Sequence, residues 1–459
     1  MNYRVLLPHP LESRLLMMQR EGTWRLPEWE EPASPSWWLT SHVNRAVAAR
    51  FGMETTVLRC LRDGPTDDAG QRLRVYELDN HSAPHDMVPT GTWIGRAELD
   101  MLHITDADTR DLIEYWFRRD AGEIALRGSP WTVRGWYVEA LAWAVAQLRE
   151  HGAVITDPPE QLRTWERSFL MRISTDSGAF YFKAAPDINA YEPLLMEWLA
   201  RRFPGNVPEI VAADPRRGWF IQRVSAGGAL PLEQVREEEE WYRAIRRLGE
   251  IQLDCSRATG ELRRLGVPYR GLDVLAHRIP ELCSDAGALM PEGGGGLSPA
   301  EFDRVATLGP SLLALCEELA SLDLPDSLEH GDLEPLSVLS SLGEPLYLDW
   351  SDSSISHPFF SPSMLMSAAS ALLPASSRET RRRLRDSYLA AWTDLIHHDR
   401  LDRAFEIARV LAPIHSATRI HAELLPIAGY VWEIQGAIPA RMRSVLRLIA
   451  GDPDAAAPR

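Results

Sequence analysis

The chain is poor in cysteine, with four in 459 residues: Cys60, Cys255, Cys283 and Cys316. None falls at the short spacing of a zinc or redox motif, so the four read as packing residues, and neither a structural metal nor a disulfide is implied. Positive charge is also short, with 49 Lys and Arg against 65 Asp and Glu and a net charge of −16. Binding to nucleic-acid phosphates requires cationic neutralisation, so this balance argues against a nucleic-acid partner. It agrees with simple solubility and with a cationic small ligand. Long apolar runs are absent as well. No stretch approaches the roughly 18 residues that span a bilayer. The early apolar patch is broken by Pro8, His9, Pro10 and Glu12, which makes it a pair of strands rather than a signal peptide. The expectation is a cytoplasmic protein with no membrane partner. No internal repeat is evident. "PEGGGG" (291–296) neither follows a strand nor precedes Lys-Ser/Thr, so it is a flexible interhelical loop and not a phosphate loop.

What is present is the composition of a globular chain, 45% hydrophobic and 25% charged, long enough for two or three domains. Residues 1–125 alternate strands with helices. "YRVLLPH", "SRLLMMQ", "ETTVLRCLRD", "RLRVYELDN" and "GTWIGRAELDML" (91–102) are strand candidates. A helix is predicted over 41–53, with Ser41 as cap and Gly52 at its end, and another over 105–120, capped by Thr105 or Asp106. Residues 126–152 form a connector whose helix carries Trp136, Leu141, Ala144, Val145 and Leu148 at helical spacing, a core stripe. Residues 153–225 hold three strands with a "TDSG" hairpin turn, then a helix, then two more strands. Residues 226–450 are almost wholly helical apart from the stretch over 328–352, and 451–459 is a loose tail.

That stretch, "LEHGDLEPLSVLSSLGEPLYLDWSD" (328–352), carries the chemistry. Phosphoryl transfer needs a group to align the acceptor hydroxyl, oxygen ligands for Mg²⁺, a fixed cation for the nucleotide phosphates and a slot for adenine. "HGDLEPLSV", a short turn at Gly343 and "LYLDWSD" together resemble the core of the aminoglycoside phosphotransferase and choline kinase family, over about 155–450. The resemblance implies an α+β, two-lobed protein-kinase-like fold, with a small β-rich N-lobe (153–225) and a large helical C-lobe (226–450). It makes Asp332 the catalytic aspartate and Asp349 the metal-binding one, with His330 bracing the loop. Lys183, ending "FYFK", matches the phosphate-orienting lysine. Glu192 is its expected ion-pair partner, with Glu197 as fallback because Pro193 sets Glu192 near the helix start. "FIQRVSAGG" (220–228) matches the interlobe hinge, where backbone groups of Gln222, Arg223 and Val224 would meet adenine. ATP and Mg²⁺ are the implied cofactors, and the implied partner is a small-molecule hydroxyl acceptor, with an amine-bearing one as an option.

Ser337 stands where the family pattern has Asn, with Glu334 and Leu336 in place of its frequent His and Gly. A serine hydroxyl can ligate Mg²⁺ more weakly, with Glu334 or Asp352 as compensating ligands. The alternative is a pseudokinase that binds nucleotide or a partner without turnover. Residues 1–125 resemble a Nudix domain. "GTWRLPEWEEP" matches the approach to the Nudix box, and Arg45 and Gly52 match the box itself. Ala46, Ala49 and Arg50 occupy its three glutamate positions, so the expectation is a degenerate Nudix-like domain without hydrolase activity.

Overall fold

The computed structural model describes residues 1–31, 36–65, 72–83, 91–124, 128–224, 229–290, 295–341, 344–373, 378–428 and 432–451. The turn expected at Gly343, the far end of the expected hinge (225–228), most of "PEGGGG" (291–294) and the tail (452–459) lie outside those residues. In chain order the structure begins with β1 (Asn2–Leu6), β2 (Arg14–Arg20), β3 (Thr23–Arg25), β4 (Glu28–Glu30), α1 (Ser41–Phe51), β5 (Thr55–Pro65), β6 (Arg72–Asn80) and β7 (Thr92–Gly95). It continues through α2 (Ala107–Asp120), α3 (Trp136–Glu150), β8 (Glu160–Trp165), β9 (Ser168–Thr175), β10 (Gly178–Ala184), α4 (Glu192–Arg202), β11 (Glu209–Asp214) and β12 (Trp219–Arg223). The rest is mainly helical: β13 (Leu230–Pro231), α5 (Glu238–Ser256), α6 (Thr259–Arg264), α7 (Leu272–Ser284), α8 (Ala286–Leu289), α9 (Pro299–Ala306) and α10 (Gly309–Ser321). There follow β14 (Ser327–Glu329), β15 (Val338–Ser341), β16 (Glu344–Tyr347), β17 (Ser354–Ser356), α11 (Pro362–Leu372), α12 (Arg378–Leu389), α13 (His398–Arg419), α14 (Trp432–Gln435) and α15 (Ala437–Ile449). No helix of the described residues is long and apolar enough to cross a membrane.

The chain forms two compact units. One comprises Met1–Pro186 with Trp219–Gln222, the other Asp187–Gly218 with Arg223–Arg459. In the first, a sheet runs β4-β1-β6-β5. β1 and β6 pair in parallel, Asn2 with Leu73 through Leu6 with Glu77, which a hairpin cannot achieve; the intervening chain, α1 included, makes the crossover. β3-β2-β7 form a second sheet. Leu15, Met17 and Ile94 from it share a buried cluster with Ile113, Trp116 and Phe117, the apolar stripe of α2. A third runs β12-β10-β9-β8. Its β9–β10 hairpin turns on Asp176 and Ser177 between Thr175 and Gly178, and Gly178 takes φ +113°, open to glycine at little cost. Along α3, Ala140, Ala144 and Leu148 are buried at one-turn spacing. The Trp136 ring lies 4.9 Å from that of Phe169 and 5.7 Å from that of Trp219, the core role expected of that stripe.

Two local expectations are corrected. Thr40, not Ser41, occupies the N-cap of α1, and no side chain caps it. The strand expected over 91–102 stops at Gly95, because the Glu98 carboxylate accepts the Gly95 N–H at 2.7 Å and winds Arg96–Met101 into a 3₁₀ turn. Asp106 is the N-cap residue of α2, and its carboxylate accepts from Thr109 Oγ1 (2.7 Å) and Arg4 (2.6 Å).

In the second unit β13-β15-β16 form a small sheet, and β14 pairs antiparallel with β17. α5 buries Trp241, Ile245, Leu248, Ile251, Gln252 and Cys255 along one face, the 3.6-residue pattern of a core helix. Its Gln252 amide is a buried clamp. Nε2 donates toward the carbonyls of Leu328 (3.0 Å) and Pro358 (3.1 Å) and toward Ser361 Oγ (3.1 Å), while Oε1 accepts from Tyr388 (2.6 Å). This amide fixes β14, and with it the start of the 328–352 motif.

Candidate functional site

The β14–β17 and β15–β16 pairs fold the motif back on itself. Glu329 pairs with Ser354, and Val338 with Tyr347. Between the two pairs, Leu348 is held from both sides. Its N–H donates to the Ser337 carbonyl at 2.8 Å, and its carbonyl lies 3.0 Å from His330 Nε2. Two contacts to the Leu348 main chain, one from a carbonyl and one from an imidazole, therefore set Asp349 beside the loop that carries Asp332. Both aspartates are half-buried.

His330 is fully buried, with its N–H donating to Ser361 Oγ at 2.9 Å and its ring 4.6 Å from that of Trp350. These contacts tie the start of the loop to Ser361, Leu348 and Trp350. Gly331 is required on two counts. It sits at φ +84°, and a Cβ there would lie 2.2 Å from the Asp352 carbonyl oxygen. Its N–H donates to Glu329 Oε1 at 2.8 Å. Burial pushes the Glu329 carboxyl above the usual carboxylate range, and the Gly331 N–H pulls the other way. Asp349 takes left-handed φ and ψ of 62° each, and its Oδ1 accepts from Ser351 Oγ at 3.0 Å. Backbone conformations of this kind cost free energy and cluster at functional sites, although Asp tolerates this one better than most residues.

Ser337 is half-buried and uses its main chain for the frame, donating to the Glu334 carbonyl (2.9 Å) and accepting from Leu348. Its hydroxyl makes no hydrogen bond to a described residue. Among the described residues no group of three or more His, Cys, Asp or Glu converges as a metal cluster. A magnesium–nucleotide site does not need one, because Mg²⁺ commonly takes one or two protein oxygens and fills the remainder with phosphate and water. The Asp349 carboxylate and the Ser337 hydroxyl are oxygen donors of that type.

Asp352 is not available for that role, which corrects the expectation that it could compensate for Ser337. Its carboxylate is 1% exposed and accepts from Arg419 Nη1 at 2.6 Å. Arg419 is equally buried, so this ion pair is structural. Arg270 extends the network, donating to the carbonyls of Asp352 (3.1 Å) and Ser353 (3.2 Å) and pairing with Glu423 at 2.7 Å. Tyr191, just ahead of α4, donates its hydroxyl toward the carbonyls of Ser351 (2.7 Å) and Ser353 (2.8 Å). The same turn thus anchors the start of α4, where Glu192 is 1% exposed, while Glu197 is half-buried. Arg223, also in the second unit, pairs with Glu209 at 2.6 Å, and Val224 follows it half-buried.

Lys183 belongs to the first unit. It is 3% exposed at the end of β10, with its Nζ 6.0 Å from the Phe220 ring centroid. It is the only lysine in 459 residues, every other cationic side chain of the Lys/Arg set being arginine. The chain leaves the first unit for the last time between Gln222 and Arg223, within the segment expected to be the hinge.

The motif alone pointed to Asp332, His330, Ser337 and Asp349, and the structure brings these four into one corner. It does not add Asp352 as a ligand. The motif gave no sign of Gln252, Arg270, Arg419 or Tyr191. Their partners lie 67 to 162 residues away in the chain, and a buried Gln or Arg in a helical pattern was the sole available signal.

No family model matches the chain, and no curated protein matches it. Solved structures similar to it include a choline/ethanolamine kinase family protein from Mesorhizobium loti, at 16% identity and a TM-score of 0.45, over 68% of this chain and 99% of that one. Choline kinase LicA from Streptococcus pneumoniae is similar at 14% identity and a TM-score of 0.47, over 68% and 99% of the two chains. A macrolide 2'-phosphotransferase type I is similar at 14% identity and a TM-score of 0.42, over 70% and 97%. The likeness is remote in each case.

Proposed function

We propose that the chain is an ATP-dependent phosphotransferase that moves the γ-phosphoryl group to a hydroxyl of a small molecule. We take residues 153–225 as its N-lobe and 226–450 as its C-lobe, joined through 126–152 to a Nudix-like domain over 1–125 that has lost its metal carboxylates. The observation that carries this is the double hold on Leu348, which fixes Asp349 next to the Asp332 loop through main-chain atoms.

In this mechanism the acceptor oxygen attacks the γ-phosphorus as its bond to the β–γ bridging oxygen breaks and ADP leaves. Asp332 aligns the acceptor hydroxyl and takes its proton. His330 and Gly331 keep that loop in place. Asp349 and Ser337 would hold Mg²⁺, which when bound neutralises charge on the phosphate oxygens. Lys183 supplies the cation for the phosphates, Glu192 the carboxylate that balances it, and backbone groups at Gln222 to Val224 the adenine contacts. Nucleotide binding without turnover is the second function, favoured by the serine at position 337.

The single lysine gives a direct test. A nucleotide acyl phosphate transfers its acyl group to a lysine beside the bound phosphates. Mass spectrometry is expected to find Lys183 acylated and protected by excess Mg-ATP. Absence of labelling, together with no change in Tm on adding ATP and Mg²⁺, would sink both functions. Acceptor-dependent ADP release lost in Asp332→Ala separates the enzyme from the binder.

A further inference from the structure

A cavity of about 370 Å³ lies within the second unit, against the Asp332 loop: Gly331 and Leu333, the two neighbours of Asp332, are part of its wall. That is the volume of a small-metabolite site. In a chain of net charge −16, this wall carries five arginines, Arg381, Arg382, Arg385, Arg409 and Arg441. Its acidic residues are Glu329 and Glu406 alone. Glu329 is already committed to Gly331, Ser354 and Ser361.

Three of the arginines have carboxylate partners: Arg382 with Glu379 (2.9 Å), Arg385 with Asp386 (2.9 Å) and Arg409 with Glu406 (3.1 Å). Arg441 is different. Its Nε donates to Ser416 Oγ at 2.6 Å and its Nη1 to the Ala437 carbonyl at 3.2 Å, and it forms no ion pair with any described residue. Burial lowers its pKa, while the nearby Asp332 and Glu334 carboxylates act in the other direction. A half-buried guanidinium, oriented by two neutral acceptors and without an ion pair to a described residue, is left for an anion to complete. Its planar fork suits a carboxylate or phosphate, which it can grip through two parallel hydrogen bonds.

We propose that this cavity receives the acceptor, and that the acceptor is a hydroxyl compound bearing a carboxylate or phosphate, held by Arg441 with its hydroxyl toward Asp332. The proposal rests on Asp332 being the phosphoryl-transfer aspartate. It turns the expected preference away from amine-bearing acceptors, because a cation would enter a wall that is already cationic. Ser363 Oγ, buried in the same wall without a hydrogen-bond partner among the described residues, is a further donor for such a group.

The test is calorimetric titration of the full chain, first without nucleotide and then with Mg-ADP. The probes are D-glycerate, glycerol 3-phosphate, glycerol and choline, which share a hydroxyl and differ in charge. At least one anion is expected to bind about ten-fold or more tightly than glycerol or choline. Arg441→Met is expected to weaken that anion about ten-fold, and Arg441→Lys less, since it keeps the charge without the fork. Arg409→Gln removes a second lining cation from a different helix and should weaken the anion a few-fold, which keeps the test decisive if Arg441→Met fails to fold. Failure of both anions to bind below roughly 10 mM, tighter binding of choline than of either anion, or unchanged anion affinity in the folded variants would overturn the proposal. Anion binding that persists when no nucleotide binds would overturn the kinase function and leave the anion site standing. Glycerate against glycerol 3-phosphate tells a carboxylate site from a phosphate site.

Discussion

On the proposed function, α1 carries Ala46, Ala49 and Arg50 where a Nudix box would carry glutamates, whereas the corner over 327–356 keeps both aspartates of the proposed site, Asp332 and Asp349. The surroundings differ in kind. The two arginines of α1 are spent at the surface, Arg45 on Glu160 at 2.5 Å and Arg50 on Glu31 at 3.5 Å. Pairs of this type contribute at most about 1 kcal/mol. Around the corner, His330, Glu329 and Asp352 are buried and each is hydrogen-bonded. Burying charge adds little net stability over an apolar replacement. It does fix positions to within fractions of an ångström, which catalysis requires. On the proposed function, the corner is the part of the chain whose geometry is fixed for chemistry.

The sharpest way to break that contrast is through activity. Asp332→Asn is expected to lower acceptor-dependent ADP release by about 10²- to 10⁴-fold, the range for losing a general base, while Arg50→Ala leaves it unchanged. Mg²⁺-dependent cleavage of a nucleoside diphosphate sugar by the unaltered chain would return chemistry to α1 and remove the contrast. Stability comes next. Asp352→Asn strands Arg419 and is expected to cost about 3–5 kcal/mol in urea unfolding. Arg50→Ala should cost under about 1 kcal/mol. Equal losses would mean that the buried pair is no better placed than the surface one.

A third test is pH. Burial drives His357 and His415 down to about 3, while half-buried His42 in α1 falls to about 4. Below the unfolded value of about 6.5 the unfolded chain takes up protons that these folded imidazoles refuse, so their contribution is lost as pH falls from 6.5 toward 3. Each fully buried imidazole adds a slope of about 1.4 kcal/mol per pH unit in that window. Glu329, whose carboxyl is raised, works in the opposite sense. His357→Asn is therefore expected to flatten the stability–pH curve between pH 4 and 6 by about that slope, as read by urea unfolding at several pH values. An unchanged slope would refute it. The smallest effect is expected at Ser337. Ser337→Ala should raise the Mg²⁺ concentration needed for ATP binding by about three-fold, and Ser337→Asn should lower it. No response to either would remove the serine hydroxyl from the metal site.

Legibility from sequence followed the range of the forces. The α2 helix, the α3 stripe, the Asp176-Ser177 hairpin and the Gly52 helix end were readable because helical period and turn chemistry are local. The strand over 91–102 failed on the side chain of Glu98, which competes for a backbone N–H only in three dimensions. At the site, the resemblance over 328–352 is what proposed Asp332, His330 and Asp349. The fate of Asp352 was hidden because its partner Arg419 is 67 residues away. The arginine-lined cavity was masked by the net charge, a sum that carries no position.

The hold on Leu348 has one further consequence. Both of its anchors use carbonyl and amide groups on the Leu348 side, and the Ser337 anchor is a carbonyl as well. A peptide carbonyl is the same whatever side chain it bears. The residue that departs most from the motif therefore sits where the frame is indifferent to identity, and its side chain can be exchanged without disturbing the frame that holds Leu348.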